Sequence, residues 1–199
     1  LISGILVGAY LMKDALLFDE IFRWLLGIAA GATIACVVGI IDDVIDIKPW
    51  QKITGQSIAA LMILAAGIRP VLHHFTDPVG IKMSAEIEVF LGVPVVLIFV
   101  LGATNSLNLL DGLDGLCGGV TAIIMLAMLG LAIHLATWGS SETGDAVRMI
   151  LCLGCVGGVL GFLPFNRHPA KIFMGDAGSM LLGFVVASLM ILFAEGIPR

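Results

Sequence analysis

Six aspartates and no glutamates stand in three short breaks between long apolar segments: Asp42, Asp43 and Asp46 in the first, Asp111 and Asp114 in the second, and Asp176 in the third. Carboxylates gathered with few cations to pair them are suited to a hard metal ion carrying phosphate, because Mg²⁺ prefers oxygen ligands and needs only one or two from the protein. Asp42 and Asp43 close an apolar segment, where a helix C-terminus disfavours each carboxylate by about 0.3 to 1 kcal/mol. Capping is therefore a poor account of them. If one helical turn continues, Asp46 lies three and four residues beyond them and the side chains converge; the plain alternative is a solvated turn at the membrane boundary.

The second break reads Asn105-Ser106-Leu107-Asn108-Leu109-Leu110-Asp111-Gly112-Leu113-Asp114-Gly115. N-capping of the next helix accounts for one of its acids but not for both, nor for Asn105 and Asn108. Asn side chains both donate and accept, as recognition of a uracil edge or of sugar hydroxyls requires. The third break runs from Asn166 through Arg167, His168, Pro169 and Lys171 to Phe173-Met174-Gly175-Asp176, then turns into a helix. Asp176 is an N-cap on the plain reading. With Gly175 and Gly178 beside it, the same turn also describes a helix start that accepts an anion or a metal phosphate. Phe173 either stacks on a base or dips into the bilayer interface, and His168 either acts as a base or is an ordinary boundary histidine.

The elements that hold these breaks are membrane helices. The chain has 199 residues, 59% hydrophobic and 13% charged, with a mean hydropathy of +1.11, far from the soluble globular range. Apolar stretches near the roughly 17 to 25 residues that cross a hydrocarbon core lie at about 1–17, 21–41, 53–70, 89–104, 116–138, 147–165 and 178–195. The expectation is an all-α, polytopic bundle forming a single membrane domain over 1–199, with seven helices. Alternating crossings put the breaks 42–52, 105–115 and 166–176 on one face, and 18–20, 71–88 and 139–146 on the other. Lys48, Lys52, Arg167 and Lys171 share the aspartate face, against Lys13, Arg23, Arg69, Lys82, Arg148 and Arg199 opposite, a bias that leaves the orientation open. The apolar start without a leader pattern reads as an internal fragment.

Several features read as packing. Cys152 and Cys155 form a C-x-x-C inside an apolar helix without a second pair, against a zinc or redox site. Gly4/Gly8, Gly27/Gly31 and Gly157/Gly161 are small-xxx-small pairs that permit close helix contacts in lipid. His73 and His74 lie in a bland connection. Ten Lys/Arg and fifteen Asp/Glu, scattered without a basic run, give nucleic-acid binding no support.

Together, D-D-x-x-D, N-x-x-N-x-x-D-G-x-D-G-L and N-x-x-P-A-x-x-F-M-G-D-x-G-S resemble the membrane-bound polyprenyl-phosphate N-acetylhexosamine-1-phosphate transferases, three motifs in the family's order across essentially the whole chain. The resemblance implies a bundle of about ten or eleven helices in the bacterial inner membrane, with the active site facing the cytoplasm and a homodimeric assembly. It implies transfer of a phosphosugar from a UDP-N-acetylhexosamine to polyprenyl phosphate with Mg²⁺, for which Mn²⁺ can substitute. Asp176 is implied as the metal ligand with Asp43 beside it, and Asp42 as the group that deprotonates or orients the lipid phosphate. Asp46, Lys52, Asn105, Asn108, Asp111, Asp114, Asn166, Lys171 and Phe173 are implied on the substrate side. Asp46 and the Lys52-x-x-x-Gln56 pattern look like the GlcNAc branch and not the phospho-MurNAc-pentapeptide branch, which typically has Lys in place of Asp46. Two other readings compete. An intramembrane prenyltransferase would space its second acid motif more widely, and an ion transporter would carry acids within the bilayer and not only at helix ends.

Overall fold

The computed structural model describes residues 15–72, 84–137 and 142–195. Among them are six helices: α1 (Ala15–Ile45), α2 (Pro49–Ala65), α3 (Ala85–Leu110), α4 (Leu116–Thr137), α5 (Glu142–Asn166) and α6 (Gly175–Glu195). Five contain segments long and apolar enough to cross a membrane: Asp19–Ile45, Glu86–Leu110, Leu116–Thr137, Thr143–Asn166 and Gly175–Glu195. The protein is an all-helical integral membrane protein. At 17 residues, α2 is about 25 Å long, at the short end of the spanning range. The expected helix 1–17 lies outside the described residues except for its last three, which open α1.

Helix ends differ from the hydropathy boundaries in an informative way. No break occurs at 18–20, because Asp19 and Glu20 interrupt the hydropathy without supplying a glycine or proline to interrupt the backbone. Helix α3 runs on through Asn105 and Asn108 to Leu110, and α5 starts at Glu142, so Asp145 lies within it. In both places polar side chains that read as loop are helical: Asn105 and Asn108 bond to side chains of α2 and α6, Thr143 bonds to Glu20 of α1, and Asp145 pairs with Arg148 of its own helix. Helix α2 is shifted toward the N-terminus: Pro49 starts it with a preset φ, and Gly67 (φ 89°) ends it, with the Ile68 N–H closing back onto the Ile63 carbonyl at 3.2 Å.

Helix α6 is the axis of the bundle, buried at most positions from Ser179 to Leu192 and packed against α1 and α3. Glycine permits these close approaches. A Cβ on Gly31 would enter the Phe184 ring, one on Gly39 would collide with the Asp176–Ala177 backbone, and one on Gly183 would collide with Thr104. The Gly27/Gly31 pair thus packs as expected in lipid. Gly157 and Gly161 do not, since both face open space among the described residues. Helices α4 and α5 form a hairpin on the outside, and large apolar side chains such as Phe90, Ile98 and Ile123 are exposed, as a lipid-facing surface requires. Cys152 and Cys155 are buried free thiols.

Candidate active site

The last turn of α1 carries Asp42 and Asp43, and the chain then reverses within three residues. Asp46 takes the left-handed conformation (φ 51°), the Ile47 N–H donates to Asp42 Oδ1 at 3.0 Å, and Pro49 begins α2. This reversal brings Lys52, in the first turn of α2, over the end of α1. Its ammonium donates to Asp42 Oδ2 at 2.7 Å, to Asp176 Oδ2 at 2.6 Å and to Asn108 Oδ1 at 3.0 Å. Side-chain exposures of 14% for Lys52 and 11% for Asp42 place this pair out of bulk water, where short charge-assisted bonds are strongest. Asn108 Nδ2 donates to Asp176 Oδ1 at 2.6 Å and to Ser179 Oγ at 3.0 Å. All three breaks therefore meet at one end of the bundle, by direct contact and independently of any count of crossings.

The start of α6 is held by acids from other helices. Asp43 Oδ1 accepts the Asp176 N–H at 2.9 Å and Oδ2 accepts the Ala177 N–H at 3.2 Å, which caps α6 in trans. Two glycines make room for it: Gly175 has φ 69° and a Cβ there would press on the Asp43 carboxylate, while Gly39 lets α1 reach the α6 backbone. Asp111, just past the end of α3, accepts the Gly175 N–H. Burial pushes its carboxyl above the usual range, the Gly175 N–H opposes this, and the negative charges of Asp176 and Asp43 add to it. The amides of the anion-accepting turn expected at Gly175 are thus taken by the protein's own carboxylates.

A second set of bonds fastens the two later loops to each other. Asn166, almost fully buried, accepts the Gly115 N–H at 3.1 Å and donates to the Ile172 carbonyl at 3.0 Å. Asp114 Oδ2 accepts the Ala170 N–H at 3.1 Å and pairs with Nδ1 of the exposed His168 at 3.0 Å. Asn105 donates to Gln56 Oε1 at 2.9 Å, one helical turn below the Lys52–Asn108 contact. Asp46, Lys171 and Phe173 are exposed at the rim. The structure therefore joins Asp42, Asp43, Lys52, Asn108, Asp111 and Asp176 into one cluster, gives Asn166 and Asp114 stapling contacts, and leaves Asp46, Lys171 and Phe173 outside it. Ser179 and Gln56 entered the sequence reading only as motif letters. Their signal was helical spacing, three residues after Asp176 and four after Lys52.

Four carboxylates in contact or electrostatic range share one ammonium, so the site carries excess negative charge that a divalent cation would offset. Among the described residues no three acid, histidine or cysteine side chains form a ready-made cage. The donor set still fits Mg²⁺: Lys52 already draws three oxygens, from Asp42, Asp176 and Asn108, onto one positive centre, and Mg²⁺ completes a small protein set with waters and phosphate oxygens.

Fold and site define a polytopic membrane protein whose polar machinery lies at one end of an apolar bundle. The family described as Glycosyl transferase family 4 matches residues 25–194, and the chain belongs to this family. It is similar to the phospho-N-acetylmuramoyl-pentapeptide-transferases of Heliobacterium modesticaldum, 36% identical over 167 residues (78% of this chain, 49% of the relative), and Geobacillus kaustophilus, 38% over 168 residues (78% and 48%). It is also similar to a protein of Bacillus subtilis named probable undecaprenyl-phosphate N-acetylglucosaminyl 1-phosphate transferase, 33% identical over 166 residues (83% and 43%). The chain spans about half the length of these curated relatives.

Proposed function

We propose that the protein transfers N-acetylhexosamine-1-phosphate from a UDP-sugar to polyprenyl phosphate, with release of UMP. The observation that carries this reading is the meeting of Asp42, Asp43, Asp111 and Asp176 around Lys52 at one end of a membrane bundle, in a family whose relatives are named for such transfers. A lipid-phosphate oxygen forms a bond to the sugar-linked phosphorus as the bond from that phosphorus to the UMP oxygen breaks. Bound Mg²⁺, with Mn²⁺ as a substitute, would neutralise the diphosphate and stabilise charge on the leaving phosphate.

Asp176 is the proposed metal ligand, because its carboxylate is held by Lys52 and Asn108 without being spent on backbone amides. Asp43 stands next to it and holds the helix that bears it, so any direct hold on the metal would cost an amide contact. Asp42 orients the lipid phosphate. Proton abstraction is the smaller need, since a phosphate monoester with a second pKa of about 6 is already mostly ionised. Lys52 engages diphosphate, Asn108 and Asp111 line the nucleotide-sugar side, and the rim residues Phe173 and Lys171 meet uracil and phosphate. The site faces the cytoplasm of a bacterial inner membrane, where UDP-sugars are made, and the working assembly is a homodimer.

UDP-GlcNAc is the proposed donor, on the strength of Asp46 and the Lys52/Gln56 pattern. The names of the Heliobacterium and Geobacillus relatives favour a second reading, UDP-MurNAc-pentapeptide. A radiolabel transfer assay on the full-length protein in undecaprenyl phosphate decides between them: label from UDP-GlcNAc should enter lipid with equimolar UMP. Transfer from the pentapeptide donor alone reverses the choice of sugar, and release of UDP in place of UMP discards phosphosugar transfer.

A further inference from the structure

The end of the bundle opposite the aspartates holds a fully buried charge. Arg148, in the second turn of α5, is 1% exposed, in a region where an ionised side chain is costly and needs a function to explain it. Its guanidinium pairs with Asp145 at 2.6 Å, lies 5.2 Å from the centre of the Phe193 ring, and donates twice to the Leu192 carbonyl, from Nη2 at 2.6 Å and from Nε at 3.2 Å. Leu192 lies in the last turn of α6, so its carbonyl is one of those that a helix end leaves without an intrahelical donor.

We propose that Arg148 is a positioning residue for the carboxylate site, acting through α6 as a rigid rod. The two ends of α6 are held by charges of the signs its macrodipole favours, the Asp43 carboxylate at the start and the Arg148 guanidinium at the finish. Thr143, in the same first turns of α5, donates to Glu20 of α1 at 3.2 Å, so α5 ties α6 to α1 at this end while Asp43 ties them directly at the other. The glycine contacts at Gly31, Gly39 and Gly183 set how closely α6 approaches its neighbours; the two charged ends set how far it slides along its axis. One residue of slide is about 1.5 Å, enough to break a 2.6 Å bond to Leu192 and equally the 2.6 Å bonds of Asp176 to Lys52 and Asn108. A site of this kind works only when its groups are held within about 0.5 Å. Stability alone is a poor reason for the pair, since a buried ion pair is often replaced by apolar residues at no loss. The fixed fork of a guanidinium, by contrast, defines a position.

The inference rests on the proposed transferase for its kinetic arm only. The test uses the full-length protein in nanodiscs, comparing wild type with the double variant Asp145→Leu/Arg148→Met and with Arg148→Lys. Hydrogen exchange of the peptide spanning 174–178 should accelerate about tenfold in the double variant while most of the bundle keeps its protection. Its kcat should fall about tenfold with KM for the UDP-sugar little changed, the mark of lost transition-state positioning. Arg148→Lys should lie between the two. Unchanged exchange at 174–178 in a folded double variant overturns the inference, as does a uniform rise across all helices. Failure of both variants to fold also overturns it, since the pair would then serve folding itself. If the wild-type protein transfers no phosphosugar, the exchange arm still decides the inference; normal exchange with intact transfer removes the inference and leaves the proposed function standing.

Discussion

The two ends of α6 use charge in opposite ways. At the start, Asp176 sits among acids that outnumber their one ammonium, partly open to solvent, on elements that come from all three breaks. At the finish, Arg148 is buried against Asp145, the Leu192 carbonyl and the Phe193 ring, with Glu195 in electrostatic range. An accessible cluster short of positive charge is arranged to receive something of opposite charge; a dry cluster whose cation is spent on a carboxylate and a backbone carbonyl holds helices together. The difference separates chemistry from architecture more reliably than burial or charge alone does, because both regions are rich in ionisable groups.

The comparison is broken most severely by unbalancing the far end. Arg148→Met alone takes the guanidinium away from buried Asp145, and should cost about 3 to 5 kcal/mol of stability, far more than the double variant in which Asp145 is replaced as well. Equal thermal destabilisation of the two variants in detergent would show that Asp145 does not depend on the guanidinium. At the near end the effect should be on rate and not on folding. Asp176→Asn, nearly isosteric, should lower Mg²⁺-dependent UMP release by about a hundredfold, or about 2.7 kcal/mol, with normal size-exclusion behaviour. More than about a tenth of wild-type turnover would remove Asp176 from the metal site.

Lys52→Met should have an intermediate effect. It leaves Asp42 and Asp176 facing each other without their ammonium, so turnover should drop about thirtyfold, about 2 kcal/mol, and the Mg²⁺ concentration for half-maximal rate should change with it. An unaltered Mg²⁺ requirement would mean that the lysine and the metal do not share these oxygens. The smallest change is expected from Asp43→Asn, which keeps an oxygen for one α6 amide: about 1 kcal/mol in stability, read by thermal unfolding, with the Mg²⁺ requirement unmoved. A large rise in that requirement would restore Asp43 as a metal ligand.

Much of this is legible in the sequence. Helix existence followed from apolar length, and the three aspartate breaks were marked by their residue types. Boundaries were less legible, because hydropathy falls wherever polar residues collect, even when the helix continues. Asn105 and Asn108 read as loop yet are helical, since Gln56, Lys52 and Asp176 satisfy them from neighbouring elements. The partners inside the site were not legible at all: Lys52 meets Asp176 across 124 positions, and Asp43 caps a helix 133 positions away. Nothing local in either segment announces such a match. Gly157 and Gly161 show the converse, a pattern that permits close packing without a neighbour among the described residues to use it.

The central place of α6 carries a consequence for biogenesis. It is the last of the described helices to leave the ribosome, yet α1 is notched to receive it at Gly31 and Gly39, and its own Gly183 admits the Thr104 backbone of α3. Until it inserts, Asp43 has no amides to cap and Lys52 lacks one of its two carboxylates. The earlier helices therefore wait in the bilayer as an incomplete socket, and the acidic cluster comes into being only when α6 docks between them.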